Sequence, residues 1–293
     1  MVKPTKKNNK EYIPLSFDLM FKKVFADEED KSSLICLLDY ILDIKVDDVT
    51  ILNPEIIASN FYDKGTTVDL IVKLEDGTVI SIEMNTNTGT FVIVRNLFYL
   101  TKIMSKNIDS ENSYLDLHKH IQVNFDTKGK HTNPIMKYCL LDEETHEKLT
   151  DKIEIIRIDV GYFKELCYTK DASDLDLKTR LIGLVGIDNR EIAESITRGD
   201  DKLEHIIKKV EKFSDTEEII GAYDIEKHRK MMAEAEKEEA RREAKQQGIE
   251  QGVVQGVKQG LTETAKNMLK DNVPVEIISK YTGLSIEEIN ALL

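Results

Sequence analysis

The sequence predicts an α/β fold, in which a mixed β-sheet with flanking helices is followed by an all-helical C-terminal region. Strand-like runs alternate with amphipathic segments as far as about residue 168, a pattern typical of a layered α/β domain. From Asp171 onward strand signals are missing, while helical periodicity continues. The 293 residues are 41% hydrophobic and 32% charged, which supports a folded core and excludes a disordered or fibrous chain.

The N-terminal segment predicts a polar arm, two helices and two short strands. Residues 1–12 are rich in Lys and Asn and predict a flexible arm. Apolar residues recur at helical spacing over residues 15–25 and 32–42, so each segment predicts an amphipathic helix. Residues 49–52 and 55–58 predict short strands.

Residues 67–85 predict a β-hairpin, and burial decides its register. A two-residue turn would mix charged and apolar side chains on one face. A three-residue turn, with Gly77 in the left-handed conformation, instead gathers the apolar side chains on one face: Val68, Leu70, Val72, Leu74, Ile80, Ile82 and Met84. Leaving these apolar side chains exposed on a charged face would cost on the order of several kcal/mol of folding free energy. The favoured register places Asp69 directly opposite Glu83, with Cβ atoms about 5 Å apart.

An amphipathic helix at residues 91–106 follows the hairpin. Three further strands are predicted at residues 120–125, 136–141 and 153–160. We therefore predict one α/β domain over residues 13–168.

The rest of the chain predicts helices alone. Three lie at residues 177–185, 190–196 and 203–213, and a long charged helix lies at residues 225–247. Together they predict a helical region over residues 169–247.

Residues 248–293 predict a Gly-periodic helix and a C-terminal helical pair. Glycine recurs every fourth residue from Gly248 to Gly260, which fits either a close helix contact in an oligomer or a flexible joint. The two short helices around Gly283 have a helix-turn-helix pattern, but Lys280 is their sole base. Packing or self-association therefore suits them at least as well as DNA reading, and we expect a homo-oligomer formed through these helices.

Net charge and cysteine usage narrow the function classes. A net charge of −13 excludes a protein held on nucleic acid by overall basicity, but not an enzyme with metal-binding carboxylates and a local basic rim. The 3 cysteines are far apart, which argues against a disulfide framework or a thiolate zinc site and predicts a cytoplasmic protein. No run is long and apolar enough to span a membrane, and no P-loop motif occurs.

Asp69 and Glu83 are the strongest candidates for chemistry. Two carboxylates facing each other on adjacent strands offer the hard oxygen ligands that Mg²⁺ or Mn²⁺ prefers. Asn85 follows Glu83 on the same face, where its amide could orient a water molecule or a phosphate. A solvated sheet face would also carry such residues, so spacing alone leaves both interpretations open.

Four motifs support the catalytic interpretation: F-D-x-x-F-K-x-x-F at residues 17–25, V-D-L-I-V-x-x-E-D-G-x-x-I-S-I-E-M-N at residues 68–85, R-N-L-F-Y-L-T-K at residues 95–102 and L-L-D-E-E-T at residues 140–145. In this order they resemble the PD-(D/E)XK nuclease superfamily, and most closely its recombination-promoting nuclease (Rpn) family, whose members are often labelled transposases. The resemblance covers roughly residues 10–166, and the Gly-periodic tail is also typical of the family. It implies a restriction-endonuclease-like fold and a metal-dependent DNA endonuclease linked to recombination or to defence against foreign DNA.

The resemblance also assigns residues. Asp69 and Glu83 match the metal-binding acids of the family. Asn85 falls where the superfamily often has Lys and this family more often has Gln, so a positive charge is missing at this position. Lys73, on the same face, or Lys102, on the next helix, could supply that charge, although both residue types are also common on plain surfaces.

Three further residues are candidates. Asp18 matches an extra acid of the family motif, but a simple helix-surface pair with Lys22 explains it equally well. Arg95 and Tyr99 lie one turn apart on the helix after the hairpin. They suit either a phosphate contact or structural packing.

The sequence therefore predicts a Mg²⁺- or Mn²⁺-dependent endonuclease that hydrolyses phosphodiester bonds in DNA. The alternative is a catalytically weak or inactive nuclease-fold module that binds DNA or protein, because Asn85 brings no charge. A strand-transfer transposase is less favoured, since no third acid arranged as in the RNase-H-like transposases is visible.

Overall fold

The structure is a computed structural model that describes residues 12–52, 55–56, 66–86, 88–106, 113–129 and 133–292. The chain divides into two compact units, Met1–Asp224 and Ile225–Leu293, and each is described by itself. The flexible arm predicted at the N-terminus lies outside the described residues except for Tyr12. The domain boundaries at residues 168 and 247 stay predictions.

The first unit contains the predicted mixed sheet. Its strands within the described residues are β1 (Val49–Leu52), β2 (Glu55–Ile56), β3 (Thr66–Thr67), β4 (Leu70–Leu74), β5 (Val79–Asn85), β6 (His120–Asp126), β7 (Ile135–Tyr138) and β8 (Ile153–Asp159). Six of them form one sheet in the order β1-β4-β5-β6-β8-β7, and β2 pairs with β3 separately. The β5–β6 and β6–β8 pairs are parallel and the other pairs are antiparallel, so the predicted mixed sheet is confirmed.

The β4–β5 hairpin has the predicted register. Leu70 pairs with Ile82 and Lys73 with Val79, as the three-residue turn requires, and Asp69 directly precedes the first paired residue of β4. Gly77 has a φ of 85°, a conformation that glycine adopts without the steric cost of a Cβ. The burial argument thus selected the correct three-residue turn.

One face of the sheet is apolar and packs into the main core. Alternate residues of β4, β5, β6 and β8 form this face: Leu70, Val72, Ile80, Ile82, Met84, Ile121, Val123, Phe125, Ile156 and Ile158. The opposite face is mainly polar along β5 and β6, where it carries Ser81, Glu83, Asn85, Gln122, Asn124 and Asp126. These polar side chains are also buried. Buried polar groups are costly unless they are paired, so this face is the candidate for a functional site.

Val68 does not lie on the predicted face. It packs with Ile71, Val79 and Ile103 in a small cluster on the opposite side of the sheet. The physical reason is that the chain bends at Asp69 and β4 begins only at Leu70, which breaks the strand alternation.

Ten α-helices occur in the described residues: α1 (Asp18–Phe25), α2 (Ser32–Leu42), α3 (Thr90–Lys106), α4 (Val160–Thr169), α5 (Leu177–Gly186), α6 (Arg190–Thr197), α7 (Asp201–Ser214), α8 (Glu217–Lys270), α9 (Val275–Thr282) and α10 (Ile286–Asn290). Helices α1, α2 and α4 to α7 contribute side chains to the main core, whereas α3 contacts the polar face of the sheet. Across these described helices, none is both long and apolar enough to cross a membrane.

Helix α4 was not predicted from the sequence. The strand expected to reach residue 160 ends at Asp159, whose side chain accepts a hydrogen bond from the Tyr162 N–H at 3.1 Å and so caps the helix. The β-branched and aromatic residues that follow continue the strand pattern, which hid the helix. The helical signal is the buried set Val160, Phe163 and Cys167, spaced three and four residues apart.

The Gly-periodic segment is helical throughout. Helix α8 runs without interruption through the four glycines, so the charged helix predicted at residues 225–247 and the Gly-periodic helix are one. A Cβ added at Gly248, Gly252, Gly256 or Gly260 would meet no atom of the described residues within 4 Å.

The predicted C-terminal helical pair is confirmed. Gly283 ends α9 with a φ of 70°, and Ser285 caps α10 through a capping box with Glu288. Ile278 and Ile289 are buried together with Ala265 of α8.

The three cysteines are free thiols in different environments. Cys36 and Cys167 are buried, and Cys139 is exposed. Burial raises the pKa of the Cys36 and Cys167 thiols to about 11. Both therefore stay protonated near neutral pH, where a thiolate would be needed for reactivity.

Candidate active site

The hairpin brings two acids together at the edge of the polar face. Only 14% of the Asp69 side chain and 5% of the Glu83 side chain are exposed to solvent. Oδ2 of Asp69 accepts a hydrogen bond from the Met84 N–H at 2.8 Å. This bond ties the bend before β4 to β5 and fixes the Asp69 carboxylate beside that of Glu83.

Burial makes negative charge unfavourable at this pair. It raises the pKa of Glu83 to about 8, and the neighbouring Asp69 adds to the rise, while Arg95 opposes it. The pKa of Asp69 is also raised by burial, against the effect of the Met84 N–H and of Lys22. Oε1 of Glu83 is buried without a hydrogen-bond partner among the described residues. Such a carboxylate oxygen gains most from a bound cation.

Two cationic side chains border the carboxylates. Nζ of Lys22, on α1, lies 3.9 Å from Oδ1 of Asp69, and Nη2 of Arg95, on α3, lies 4.0 Å from Oε2 of Glu83. About a third of each cationic side chain is exposed (31% for Lys22 and 32% for Arg95), so both can also meet a ligand from solvent.

Both the oxygen and the nitrogen of the Asn85 side-chain amide form hydrogen bonds. Its Oδ1 accepts hydrogen bonds from Nη2 of Arg95 at 2.8 Å and from Nδ2 of Asn96 at 3.3 Å. Its Nδ2 donates to Oδ1 of Asp126 at 3.2 Å. The amide therefore positions the Arg95 guanidinium next to Glu83.

The hydrogen bonds continue from Asn85 across the sheet. Nε of Arg157, on β8, donates to Oδ2 of Asp126 at 3.0 Å, and Nη2 forms an ion pair with the same oxygen at 2.8 Å. Asn96 donates to Oδ1 of Asn124 at 2.6 Å. A connected polar layer thus runs from the carboxylate pair to β8, and the connection satisfies most of its buried groups.

The other predicted residues lie at different distances from the acids. Asp18, the first residue of α1, is exposed and lies close enough to Glu83 to raise its pKa further. Tyr99 packs against the small cluster of Val68 and Ile71, and the Arg95 guanidinium lies 5.5 Å from its ring centre.

The two lysines proposed to replace the missing charge do not border the carboxylates. Lys73 pairs with Val79 at the turn end of the hairpin, four residues along the strand from Asp69, or about 13 Å. Lys102 lies two turns beyond Arg95 on α3, with Nζ 5.4 Å from the ring centre of Phe98.

Sequence reasoning missed several members of the site. Lys22 was treated only as a partner of Asp18, although it occupies the lysine position of the F-D-x-x-F-K-x-x-F motif. Asn96, Asp126 and Arg157 were not singled out, since isolated polar residues on a strand or helix normally face solvent. The usable signal was alternation in β6, where Gln122, Asn124 and Asp126 share one face and the residues between them are apolar.

The carboxylate pair fits a divalent cation. Its oxygens are hard ligands, and one of them is buried and unpartnered. Among the described residues, no three His, Cys, Asp or Glu side chains form a metal-holding group. Mg²⁺ does not require one, because it is commonly held by one or two carboxylates together with water and substrate phosphate.

The sheet order, the acidic hairpin and the flanking helices define a restriction-endonuclease-like α/β fold of the nuclease class. Residues 15–240 match the model of the family described as PD-(D/E)XK nuclease family transposase, and the chain belongs to this family. The match extends beyond the region recognised from motifs and includes α5 to α7. No curated protein and no solved structure matches the chain significantly.

Proposed function

We propose that the protein is a divalent-metal-dependent DNA endonuclease that hydrolyses phosphodiester bonds. The observation that carries this proposal is the buried pair of Asp69 and Glu83, with the unpartnered Oε1 of Glu83 and two cations at its border. Mg²⁺ or Mn²⁺ is the cofactor expected from these oxygen ligands.

In the proposed mechanism Asp69 and Glu83 hold the metal. When bound, the metal supplies Lewis-acid activation of water and neutralises charge on the phosphate. Lys22 and Arg95 bind the non-bridging phosphate oxygens and stabilise the negative charge that grows there during the in-line attack. Asn85 orients Arg95, so the charge absent from its own position is supplied by its neighbour. Asp18, at the exposed border, assists by adding negative charge that attracts the metal.

Plasmid nicking in Mg²⁺ or Mn²⁺ tests the proposal directly. We expect the wild type to nick the plasmid, and Asp69→Ala and Glu83→Gln to lose the activity. Asp151→Ala is the matched control, since Asp151 is an exposed acid in the segment before β8. Equal nicking by the wild type and by Asp69→Ala would refute the assignment.

A catalytically weak or inactive module that binds DNA or protein is the second candidate. It is favoured by Asn85, which carries no charge and whose amide is already engaged by Arg95 and Asp126. If Asn85→Lys or Asn85→Gln cleaves DNA while the wild type does not, the natural protein is a degenerate nuclease.

Three aspects of the biological role belong to the same proposal. We expect the activity to serve recombination or defence against foreign DNA in the cytoplasm.

We expect self-association through the C-terminal helices, since the glycines of α8 present an open surface to a second copy. Replacing Gly252 and Gly256 by Leu should then lower the mass measured by sedimentation, and an unchanged mass would count against this surface.

A further inference from the structure

A cavity of about 280 Å³ opens between α3 and the strands β6, β7 and β8. Val92, Leu97 and Ile155 form apolar walls, and Gln122, Asn124 and Arg157 form a polar floor. Ligand sites usually combine apolar walls with a few polar groups that fix orientation. At this volume the cavity suits a molecule smaller than most drugs, such as a single heteroaromatic base.

Gln122, which lines the cavity, carries a buried hydrogen-bond acceptor without a partner in the described part of the chain. Gln122 is 1% exposed, and its Nε2 donates to the Asn96 carbonyl oxygen at 2.8 Å. Only the N–H side of the amide can face that carbonyl, so the orientation of the amide is fixed. Its Oε1 is buried and has no hydrogen-bond partner among the described residues. A ligand that satisfies it must present an N–H or O–H donor, and the amino and ring N–H groups of a base are such donors.

The floor also presents donors in a fixed orientation. Arg157 is only 13% exposed, and Asp126 holds its Nε and Nη2 through Oδ2. A guanidinium has five N–H donors in a planar fork, so further donors remain for a carbonyl or ring nitrogen of a ligand. Acceptor and donors thus stand on neighbouring strands, an arrangement that complements the mixed donor and acceptor edge of a nucleobase.

The walls favour a flat ring. Leu97 and Ile155 offer apolar surface on α3 and β8, and the half-exposed ring of Tyr138 lines the cavity on β7. Apolar and aromatic side chains stack on bases regardless of sequence.

We propose that this cavity binds a nucleobase. Asn96 lines the cavity and donates to Oδ1 of Asn85, which connects the cavity to the carboxylate site. The base comes either from an unpaired nucleotide of the DNA substrate or from a free nucleotide. The first source rests on the proposed nuclease function, whereas base binding itself requires no hydrolysis.

Fluorescence of 2-aminopurine tests the cavity without cleavage. The chain has no Trp, so the probe signal is free of indole background in the wild type. The probe is used as a free nucleoside, in a single-stranded oligonucleotide and in a fully paired duplex, all in EDTA. We expect quenching by stacking for the nucleoside or the single strand and less for the duplex, and the stronger of the first two identifies the source.

Two variants and a control locate the binding. Gln122→Leu removes the acceptor and should weaken probe binding about tenfold, and Leu97→Trp should block the cavity and abolish quenching. Ser81→Ala is the matched control, since Oγ of Ser81 is another buried unpartnered atom on the same sheet face but does not line the cavity. Thermal melting checks that each variant is folded, and Leu97→Trp still tests the cavity if Gln122→Leu unfolds.

The outcomes separate the cavity from catalysis. Probe binding that is unchanged in both cavity variants, or absent with every probe, would overturn the proposal. Asp69→Ala should keep the probe affinity of the wild type. If the wild type binds the probe but fails to nick plasmid, the nuclease proposal fails while the cavity assignment stands.

Discussion

At the residue scale, the positive charge at the site comes from two helices, and the sequence suggested the cation on α3 as a phosphate contact but not the one on α1. Lys22 belongs to α1 and Arg95 to α3, and both lie within 4.0 Å of a carboxylate oxygen. Spacing within the hairpin suggested Lys73, because strand alternation reports only which face a residue occupies. It does not report which helix crosses the end of the strand.

We predict that Lys22→Gln and Arg95→Gln each lower the rate of DNA cleavage by about 10²-fold or more, since each removes a preorganised charge at the reacting phosphate. Lys73→Gln, at the far end of the hairpin, is the control and should stay within about twofold of the wild type. Rates are measured by plasmid nicking at saturating Mg²⁺. A larger loss in Lys73→Gln than in Lys22→Gln would contradict the assignment.

A second charged cluster, remote from the carboxylate pair, should govern stability in acid. The Ser32 hydroxyl, together with His205 and Lys209, holds the pKa of Asp30 well below its usual range. Nε2 of His205 lies 2.6 Å and Nζ of Lys209 3.1 Å from Oδ2 of Asp30.

Because the folded-state pKa of Asp30 is depressed, its contribution to stability is complete above the unfolded value of about 4 and is lost as the pH falls through the folded value. Asp30→Asn should therefore reduce the free energy of unfolding near neutral pH and flatten its decline in acid. Urea unfolding across this pH range measures the effect, with Asp151→Asn as control. If the free energy of unfolding of Asp30→Asn falls as steeply in acid as that of the wild type, Asp30 does not contribute to the pH dependence of stability.

At the element scale, burial and periodicity predicted most of the fold. The hairpin register and helix α2 follow from where apolar side chains must go. The bend at Asp69 does not, because the tertiary contact with the Met84 N–H holds it, and helix α4 was hidden because its first residues continue the strand pattern. The buried polar layer was equally hidden, since the sequence of β6 does not reveal that α3 covers its polar face.

The crossing of α4 and α5 depends on a glycine. A Cβ at Gly183 would lie 2.4 Å from the Cys167 sulfur and 3.0 Å from the Phe163 carbonyl oxygen. In an open helix, Gly→Ala stabilises by up to about 1 kcal/mol. Here we predict that Gly183→Ala lowers the free energy of unfolding by about 1–3 kcal/mol, because the helices must separate.

Gly221→Ala in α8 is the matched control, since an added Cβ there meets no atom within 4 Å in the part of the chain that the structure describes. It should be neutral or raise the free energy of unfolding by up to about 1 kcal/mol. Urea denaturation compares the two variants. The close approach of α4 and α5 would be disproved if both substitutions stabilised the protein equally.

At the scale of the whole molecule, a net charge of −13 opposes DNA binding, so attraction must come from a small local surface. Lys22, Arg95 and Lys102 are the candidate cations of that surface. Three phosphate contacts give an expected slope of log K against log salt of about −3 for duplex DNA. Fluorescence anisotropy with labelled duplex in EDTA measures the slope. A value steeper than about −6 would reveal a basic surface elsewhere.

The three thiols differ in accessibility, so one of them can be labelled selectively. Cys36 and Cys167 are shielded and stay protonated at neutral pH, whereas Cys139 is accessible and directly follows Tyr138 at the cavity. A maleimide dye added to the native, unmutated protein should therefore couple at a single position next to that opening. Such a conjugate would sense the arrival of a base in real time, without engineering away the other two sulfurs.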